Sequence, residues 1–250
     1  MKKIAFVTGA TSGIGEAVAR ILASEYALII CGRREDRLKS LKAELETITE
    51  VQTLSFDVSD SSAVNKAINT LPAEWKNIQV LVNNAGNAHG RAPIHEGDLA
   101  DWDAMIDGNL KGLLYVTRAI SPGMVERKSG DIINIGSIAG KEVYPDGNVY
   151  CASKFGVDAA TNGMRMDLNP YGIRVVGIHP GLVETEFSMV RFKGDESKSE
   201  SVYKGITPLY ARDIAEAVNF VVSRPPHVTI ADMTIFPTAQ ASSTIVNRKS

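Results

Sequence analysis

The chain has 250 residues, of which 44% are hydrophobic and 22% charged, and its formal net charge is −2 at pH 7. This length suits one large globular domain, and the near-neutral charge excludes the strongly basic surface that nucleic acid or an anionic membrane requires. Two cysteines, Cys31 and Cys151, are too few for a disulfide framework and fit a reducing compartment. With no apolar run long enough for a signal peptide or a membrane helix, we expect a cytoplasmic protein without nucleic-acid or membrane partners.

Short β-branched runs alternate with longer helix-like segments along the chain. Seven runs are predicted as buried strands, at 4–7, 28–31, 51–56, 80–82, 132–135, 173–178 and 233–236. Helices are predicted between them at 14–24, 35–45, 62–71, 99–127, 149–168 and 211–222. This order predicts an α/β fold with one domain over 1–250, a Rossmann-type doubly wound seven-stranded parallel sheet with helices on both faces.

The first predicted strand is joined to the first predicted helix by the glycine-rich stretch 8–15, which reads TGATSGIG. Glycines at this junction permit a tight turn and a close approach of the backbone to a pyrophosphate, and the following helix N-terminus offers amide donors. The spacing Gly-x-x-x-Gly-x-Gly differs from the common Gly-x-Gly-x-x-Gly pattern. The stretch therefore favours a dinucleotide site without establishing one.

A pair of arginines, Arg33 and Arg34, follows the second predicted strand, where an acidic residue would hold the ribose hydroxyls of NAD. Guanidinium groups suit a ribose 2′-phosphate, which a carboxylate would repel, so we predict NADP(H) as the cofactor. Nearby Arg37 is more typical of an exposed helix residue. Asp57 ends the third strand and is placed to approach the adenine amino group, although a lone aspartate also serves as a helix cap.

Further polar residues fall at the same edge of the predicted sheet or in the helices beside it. The stretch 83–86 reads NNAG after the fourth strand, Ser137 follows the fifth, and Pro180 and Gly181 end the sixth. Asn109 lies inside a predicted helix, where asparagine competes for backbone hydrogen bonds and needs a local reason. Tyr150 and Lys154 lie four residues apart on one helix face, where a cation favours the phenolate.

In order and spacing, these motifs resemble the classical short-chain dehydrogenase/reductase family over essentially the whole chain. The resemblance implies an NAD(P)(H)-dependent oxidoreductase in which Tyr150 is the general acid/base and Ser137 polarises the substrate oxygen. Lys154 would hold the nicotinamide ribose and lower the tyrosine pKa, and Asn109 would seat a water in a proton relay. A homotetramer is also implied. The predicted cofactor contacts are Gly9, Thr11, Ser12, Gly13, Ile14, Gly15, Arg33, Arg34, Asp57, Val58, Asn84, Ala85, Gly86, Tyr150, Lys154, Pro180, Gly181, Val183 and Thr185.

The segment at about 182–210 mixes apolar and charged residues and is predicted to be a substrate lid. Arg191 and Lys193 are candidates for binding a substrate carboxylate, with Arg191 preferred for its bidentate fork; either is also compatible with an ordinary exposed charge. The four histidines, at 89, 95, 179 and 227, lack a metal-ligand spacing, so no metal site is predicted.

The amino-acid sequences of the predicted lid and of the stretch 237–241 resemble those of the branch of NADP-dependent 3-hydroxy acid dehydrogenases. Members of that branch act on serine, allo-threonine and related acids or reduce the matching semialdehydes. The predicted substrate contacts are Ser137, Tyr150 and Arg191. A general carbonyl reductase or a 3-oxoacyl thioester reductase would use the same catalytic residues. A non-catalytic NADPH sensor would keep only the cofactor site.

Overall fold

The computed structural model describes residues 2–249 and contains a parallel sheet of seven strands. The strands of the chain are β1 (Lys3–Val7), β2 (Tyr26–Gly32), β3 (Val51–Ser55), β4 (Ile78–Asn83), β5 (Gly130–Ile135), β6 (Ile173–Pro180), β7 (Val183–Glu184), β8 (Leu209–Tyr210) and β9 (Asp232–Ile235). The main sheet has the order β3-β2-β1-β4-β5-β6-β9, while β7 and β8 pair with each other. The predicted doubly wound sheet is confirmed. The order in which successive strands join the sheet reverses between β1 and β4, and sheets of this kind bind ligands at that point.

Helices cover both faces of this sheet. The α-helices of residues 2–249 are α1 (Gly13–Leu22), α2 (Glu35–Leu45), α3 (Ser61–Asn69), α4 (Leu99–Ile106), α5 (Gly112–Arg127), α6 (Asn148–Leu168), α7 (Phe187–Arg191), α8 (Glu196–Ser201) and α9 (Ala211–Val222), of which α7 and α8 lie in the segment 182–210. Buried side chains of α1, α2 and α9 pack with one face of the strands, and those of α3 and α5 pack with the other. Within residues 2–249, no helix has both the length and the apolar character needed to cross a membrane.

The strands are apolar on both faces because helices cover both sides of the sheet. In β2 alone, Leu28, Ile29 and Ile30 are all fully buried. Burying a side chain of this size stabilises the fold by about 1.5–3 kcal/mol. The two resulting cores hold the strand ends in register, so the loops at the carboxyl edge project from a rigid base.

The helix predicted at 99–127 is not one regular α-helix. A π-helical turn at Asp107–Lys111 separates α4 from α5. Asn109 lies in this turn and its side chain bonds the backbone of Asn87, a residue of the loop after β4. This tertiary contact anchors the π-helical turn to the loop after β4, and π-turns of this kind occur frequently at functional sites.

The segment 182–210 contains regular structure that the sequence pattern did not predict. It runs through β7, α7, α8 and β8, each at most six residues long. Elements this short carry too little periodicity to be recognised from sequence. Their arrangement places α7 over the carboxyl edge of the sheet, beside Tyr150.

Candidate active site

A cleft of about 910 Å³ lies along the carboxyl ends of the strands from β1 to β6. Nearly all the residues predicted as site residues line it, although they are scattered over more than 180 positions of the chain. They are Gly9, Thr11, Ser12, Gly13, Ile14, Arg33, Arg34, Asp57, Val58, Asn84, Ala85, Gly86, Ser137, Tyr150, Lys154, Pro180, Gly181, Val183, Thr185 and Arg191. The two predicted residues outside this lining are Gly15 and Asn109.

The glycine-rich turn connects β1 to α1 at one end of the cleft. Gly9 and Gly13 have φ angles of 64° and 56°, which residues with a side chain adopt only with strain. A Cβ at Gly15 would collide with the Asn84 side chain and the Gly9 carbonyl, so this glycine serves close packing. The first-turn amides of α1 lie beside the cleft, and such helix ends attract anions.

Asn84 fastens this turn to the end of β4. Its side-chain amide donates to the carbonyls of Thr8 and Gly9 at 3.0 and 3.2 Å. In return, the Thr8 hydroxyl accepts from the backbone amides of Asn84 and Ala85, both at 2.9 Å. Two neighbouring strand ends are thereby locked together, which fixes the shape of the cleft between them. Asn83 instead points into the core and donates to Thr117 and Asn134.

The arginines after β2 form a cationic group near the glycine-rich turn. Arg34 donates to the Ser12 hydroxyl at 2.7 Å and to Glu186 at 2.9 Å. Arg33 is more open, with 71% of its side chain exposed, and pairs with Asp57 at 3.2 Å. Arg37 joins the group through a 2.6 Å bond to Glu186, a contact that the sequence pattern did not indicate.

Tyr150 lies near the start of α6, and its side chain is buried beside Ser137. Burial raises the pKa of the phenol well above its usual range, whereas the neighbouring Ser137 hydroxyl and the charge of Arg191 lower it. The net effect keeps Tyr150 protonated at neutral pH. The hydroxyls of Tyr150 and Ser137 therefore present two adjacent hydrogen-bonding groups in the cleft.

Lys154 lies one helical turn beyond Tyr150 and is also buried. Its ammonium donates to the Ile135 carbonyl at 3.0 Å, and burial lowers its pKa to about 8. The groups that lower the Tyr150 pKa most are Ser137 and Arg191. A direct effect of Lys154 on the tyrosine pKa therefore stays a prediction.

Asn109 approaches this helix from the π-helical turn. Its side-chain amide donates to the Asn87 carbonyl at 2.8 Å and to the Ser153 hydroxyl at 3.0 Å. Ser153 donates in turn to the backbone carbonyl of Tyr150 at 2.7 Å. A hydrogen-bonded chain therefore connects the loop after β4 to the first turn of α6. Ser153 was not indicated by sequence, because a serine within a helix carries no distinctive pattern.

Arg191, at the end of α7, reaches the end of the cleft that contains Tyr150. Its guanidinium carbon lies 5.4 Å from the centroid of the Tyr150 ring and 5.5 Å from that of Tyr144. One of its terminal nitrogens donates to the Tyr144 hydroxyl at 2.8 Å. The Nε atom is buried and has no hydrogen-bond partner among residues 2–249. The guanidinium carbon of a second arginine, Arg91, lies 5.5 Å from the centroid of the Tyr144 ring. Two guanidinium groups therefore adjoin Tyr144 in this corner of the cleft.

Lys193 has a different environment from Arg191. Its ammonium pairs with Asp101 at 2.9 Å and 57% of its side chain is exposed. It is absent from the residues that line the cleft. Of the two cations considered for a substrate carboxylate, the structure places Arg191 in the cleft and Lys193 outside it.

The residues after β6 lie across the cleft from the glycine-rich turn. Thr185 lies close to Gly13: a Cβ atom added at Gly13 would be 3.3 Å from the Thr185 side chain. Gln240 accepts from the Leu182 amide at 2.8 Å and thereby supports the start of the segment 182–210. Phe187 packs against Tyr150 with 5.7 Å between ring centroids.

A sequence model described as short chain dehydrogenase matches residues 3–196. The chain therefore belongs to the short-chain dehydrogenase family. Its fold agrees with the family resemblance found in the sequence. As a member of this family, it is an oxidoreductase.

Several known proteins are similar to almost the entire chain. An NADP-dependent 3-hydroxy acid dehydrogenase YdfG from Salmonella typhi is 48% identical over 95% of this chain and 96% of its own. Sulfoacetaldehyde reductase 2 from Chromohalobacter salexigens is 44% identical, with 97% of each chain covered. A closed form of serine dehydrogenase complexed with NADP+ superposes with a TM-score of 0.92 and 45% identity, covering 99% of this chain and 100% of that one.

Proposed function

We propose that this protein is an NADP(H)-dependent oxidoreductase that interconverts a small 3-hydroxy acid, such as serine or allo-threonine, and its carbonyl form. The observation that carries this proposal is the position of Arg191 over the ring of Tyr150, 5.4 Å from its centroid. An anion-binding cation beside the proton donor defines a substrate that carries an acid close to its hydroxyl.

The cleft suits a phosphorylated dinucleotide. At one end it offers the open turn at Gly9 and Gly13 and the first amides of α1, which favour a pyrophosphate. Arg33 and Arg34 provide the charge for a 2′-phosphate, with Arg33 the more accessible. Asp57 and Val58 would contact the adenine, and the remaining contacts are as the sequence predicts: Thr11, Ser12, Ile14, Asn84, Ala85, Gly86, Pro180, Gly181, Val183 and Thr185. Gly15, which lies outside the cleft lining, would act on the cofactor only through its close packing against Gly9 and Asn84.

Tyr150 is proposed as the general acid/base. In the reductive direction its phenol donates a proton to the substrate oxygen while the nicotinamide supplies hydride to the substrate carbon. Because the buried phenol stays protonated at neutral pH, it starts in the state that reduction requires. Ser137 would supply a second hydrogen bond to the same oxygen and stabilise the negative charge that develops there.

Lys154 and Asn109 are proposed to support Tyr150. With a pKa of about 8, Lys154 is mostly protonated at neutral pH and can donate hydrogen bonds to a ribose. Asn109, in its π-helical turn, is proposed to seat a water that passes protons away from Tyr150. Its bonds to Asn87 and Ser153 hold it next to the first turn of α6.

The acid group of the substrate is proposed to bind Arg191. The buried Nε of this arginine needs an acceptor, and a carboxylate would provide one together with charge neutralisation. Arg91 and Tyr144 add a second cation and a hydroxyl to this corner. One similar protein is named for a 3-hydroxy acid and another for a sulfonated aldehyde, so both of these substrates carry an anion.

We further propose that residues 1–250 form a single NADP-binding domain in which the segment 182–210 closes over the substrate as a lid. The ion pair of Glu186 with Arg34 and the proximity of Thr185 to Gly13 support this idea, because they bring the segment to the cofactor end of the cleft. A homotetramer in the cytoplasm is also proposed. Exposed apolar side chains on α5 and α6, Leu114, Phe155 and Met166, support association, and light scattering in solution tests it.

Reduction of an acidic aldehyde is a second candidate function, favoured by the 44% identity to sulfoacetaldehyde reductase 2. A panel assay separates the candidates. NADPH formation is followed with serine, allo-threonine and 3-hydroxypropanoate, and NADPH consumption with malonic semialdehyde, sulfoacetaldehyde, neutral carbonyls and a 3-oxoacyl thioester. Turnover of the hydroxy acids supports the proposal, and preference for the sulfonate supports the second candidate. Activity restricted to thioesters would refute both, and absence of all turnover would favour an NADPH sensor.

A further inference from the structure

A buried histidine lies directly behind the strand end that carries Ser137. His179 belongs to β6, and its ring is fully buried. A Cβ added at Gly136 would collide with its Nδ1 atom, and one added at Gly177 would collide with Nε2. The ring therefore contacts the backbone of Gly136, the residue immediately before Ser137, and depends on both glycines for its space.

Three charged side chains face this ring from three different elements. Nε2 lies 3.1 Å from Asp232 Oδ2 of β9 and 3.6 Å from Asp158 Oδ1 of α6. Lys141, in the turn after Ser137, donates to those same two oxygen atoms at 2.6 and 2.8 Å. One imidazole and one ammonium thus share one pair of carboxylate oxygens.

The cluster resembles a metal site in its ligand types but already contains a cation. Among residues 2–249, Asp158, His179 and Asp232 form one group in which each residue could offer a metal ligand. The Lys141 ammonium bonds both carboxylates, so it already occupies the position between them and offsets part of their negative charge. We therefore interpret the group as a titratable charge cluster.

The histidine ring is not satisfied in this arrangement. In the described part of the chain, neither ring nitrogen has a hydrogen-bond partner of good geometry. Burial lowers the pKa of His179 most strongly and Lys141 lowers it further, while Asp232, Asp158 and the Ser137 backbone raise it. The overall direction is downward, so the ring is neutral at neutral pH and gains its charge only in acid.

The cluster touches both segments that carry the proposed catalytic groups. The Ser137 hydroxyl accepts a hydrogen bond from the Ala139 amide at 3.1 Å, and the Ser137 carbonyl accepts one from the Gly140 amide at 2.8 Å. Ser137 thereby begins the short turn that ends at Lys141. Asp158 lies four residues beyond Lys154, on the helix that also carries Tyr150. A change in the charge balance of the cluster therefore acts on the Ser137 turn and on α6 together.

We propose that His179 is a positioning residue that, through Lys141, Asp158 and Asp232, sets the orientation of Ser137 and makes turnover depend on its own protonation. This role rests on the proposed function of Ser137. The physical reason is that a protonated ring adds a cation to the cluster and draws the Asp158 and Asp232 oxygen atoms toward itself, which disturbs both α6 and the Ser137 turn. Turnover is then highest while the ring is neutral and declines as pH falls.

Opposite shifts in two variants test this proposal. The pH dependence of kcat/KM is measured for the wild type, Lys141→Met and Asp232→Asn, with Lys42→Met as a control for loss of a lysine ion pair distant from the cleft. Without Lys141 the His179 ring is easier to protonate, so the fall of kcat/KM on the acid side of its pH profile, the acid limb, should move to higher pH. Without the Asp232 charge it is harder to protonate, so the limb should move to lower pH. Each shift should be roughly half a pH unit or more.

Imidazole NMR titrations provide an independent readout. The His179 resonance, identified by its loss in His179→Gln, should titrate in the same order as the kinetic limbs. Thermal unfolding and NADP+ binding establish that each variant is folded. If the acid limbs of kcat/KM fall at the same pH in the folded variants and the wild type, the role of His179 is overturned while the proposed function stays intact. An unchanged pH profile in His179→Gln would overturn that role in the same way. Absence of turnover in the wild type would refute the proposed function itself and this role with it.

Discussion

Arg191 lies over the aromatic face of Tyr150, with its guanidinium carbon 5.4 Å from the ring centroid. The two residues are separated by about forty positions in the chain and come from different helices, α7 and α6. The contact has two consequences. It places a positive charge where it lowers the pKa of the buried phenol, and it places a bidentate anion binder beside the proposed proton donor.

The Tyr150 hydroxyl is expected to be required for turnover but not for cofactor binding. In Tyr150→Phe, the proton donor is lost while the buried ring contacts with Phe187 remain. We expect kcat to fall by roughly 10²–10⁴-fold, the usual contribution of a positioned acid/base. Steady-state kinetics measure the loss and fluorescence titration measures NADPH affinity, which should stay within a few-fold of wild type. Wild-type turnover in the variant would show that another group moves the proton.

Arg191 is expected to select acidic substrates. Arg191→Gln removes the charge and the buried Nε donor, which has no hydrogen-bond partner within residues 2–249, from the cleft. A hydrogen bond to a charged group contributes about 1.5–3 kcal/mol, so kcat/KM for a hydroxy acid should fall by roughly 10- to 100-fold. A neutral alcohol or carbonyl should be affected much less. Arg212→Gln, which removes an exposed arginine from α9, is the control. An equal loss for acidic and neutral substrates would mean that Arg191 acts on Tyr150 alone.

The two arginines after β2 are expected to distinguish NADPH from NADH. Replacing Arg33 and Arg34 together by alanine removes the charges proposed to bind the 2′-phosphate. NADPH affinity should fall by roughly 100-fold or more, since two charge-assisted contacts are lost, and NADH affinity should change little. Isothermal titration calorimetry measures both. Arg37→Ala is the matched control, because Arg37 also pairs with Glu186 but does not line the cleft. A parallel loss of NADPH and NADH affinity would count against a 2′-phosphate site.

Lys154 is expected to destabilise the cofactor-free protein at neutral pH. Its folded-state pKa is about 8, below the 10.5 of an ordinary lysine, so the unfolded chain binds more protons between these two values. The stability of the folded state therefore rises as pH increases through that window, and the cost is fully present below about pH 8. By linkage this cost is about 3 kcal/mol.

Comparison with Lys154→Met isolates this effect. At about pH 7 the variant should be more stable than the wild type, and the difference should shrink between about pH 8 and pH 10.5, because the folded wild type loses the ammonium before the unfolded chain does. Urea denaturation of both proteins across this range gives the difference. A difference that does not change with pH would show that Lys154 has an ordinary pKa in the folded protein. Activity is not the readout here, because Lys154 belongs to the proposed site.

Much of the fold and the site is predictable from the sequence because the signals are local. The strand runs are apolar since both faces of the sheet are covered, and Tyr150 and Lys154 meet because they lie one helical turn apart. The glycine-rich turn is recognisable because β1, the turn and α1 are contiguous. Asn109 was conspicuous as an asparagine within a helix, and its bonds to Asn87 and Ser153 provide the reason.

Contacts between distant segments were not predictable in the same way. Glu186 bonds both Arg34 and Arg37 across about 150 residues, and no local pattern indicates such a pairing. Arg91 and Arg191 meet the Tyr144 ring only after two loops and the end of α7 have been brought together by the fold. The cluster around His179 likewise depends on how β6, β9 and α6 pack, which is a tertiary property.

The most direct test of the proposed function compares two substrates of nearly equal size. Oxidation of 3-hydroxypropanoate and of propane-1,3-diol by NADP+ is measured with the wild-type protein and with Arg191→Gln. We expect the wild type to prefer the acid in kcat/KM by roughly 10-fold or more, and we expect this preference to disappear in the variant. Equal kcat/KM values for the two substrates in the wild-type protein would contradict a hydroxy acid dehydrogenase whose substrate is held by Arg191.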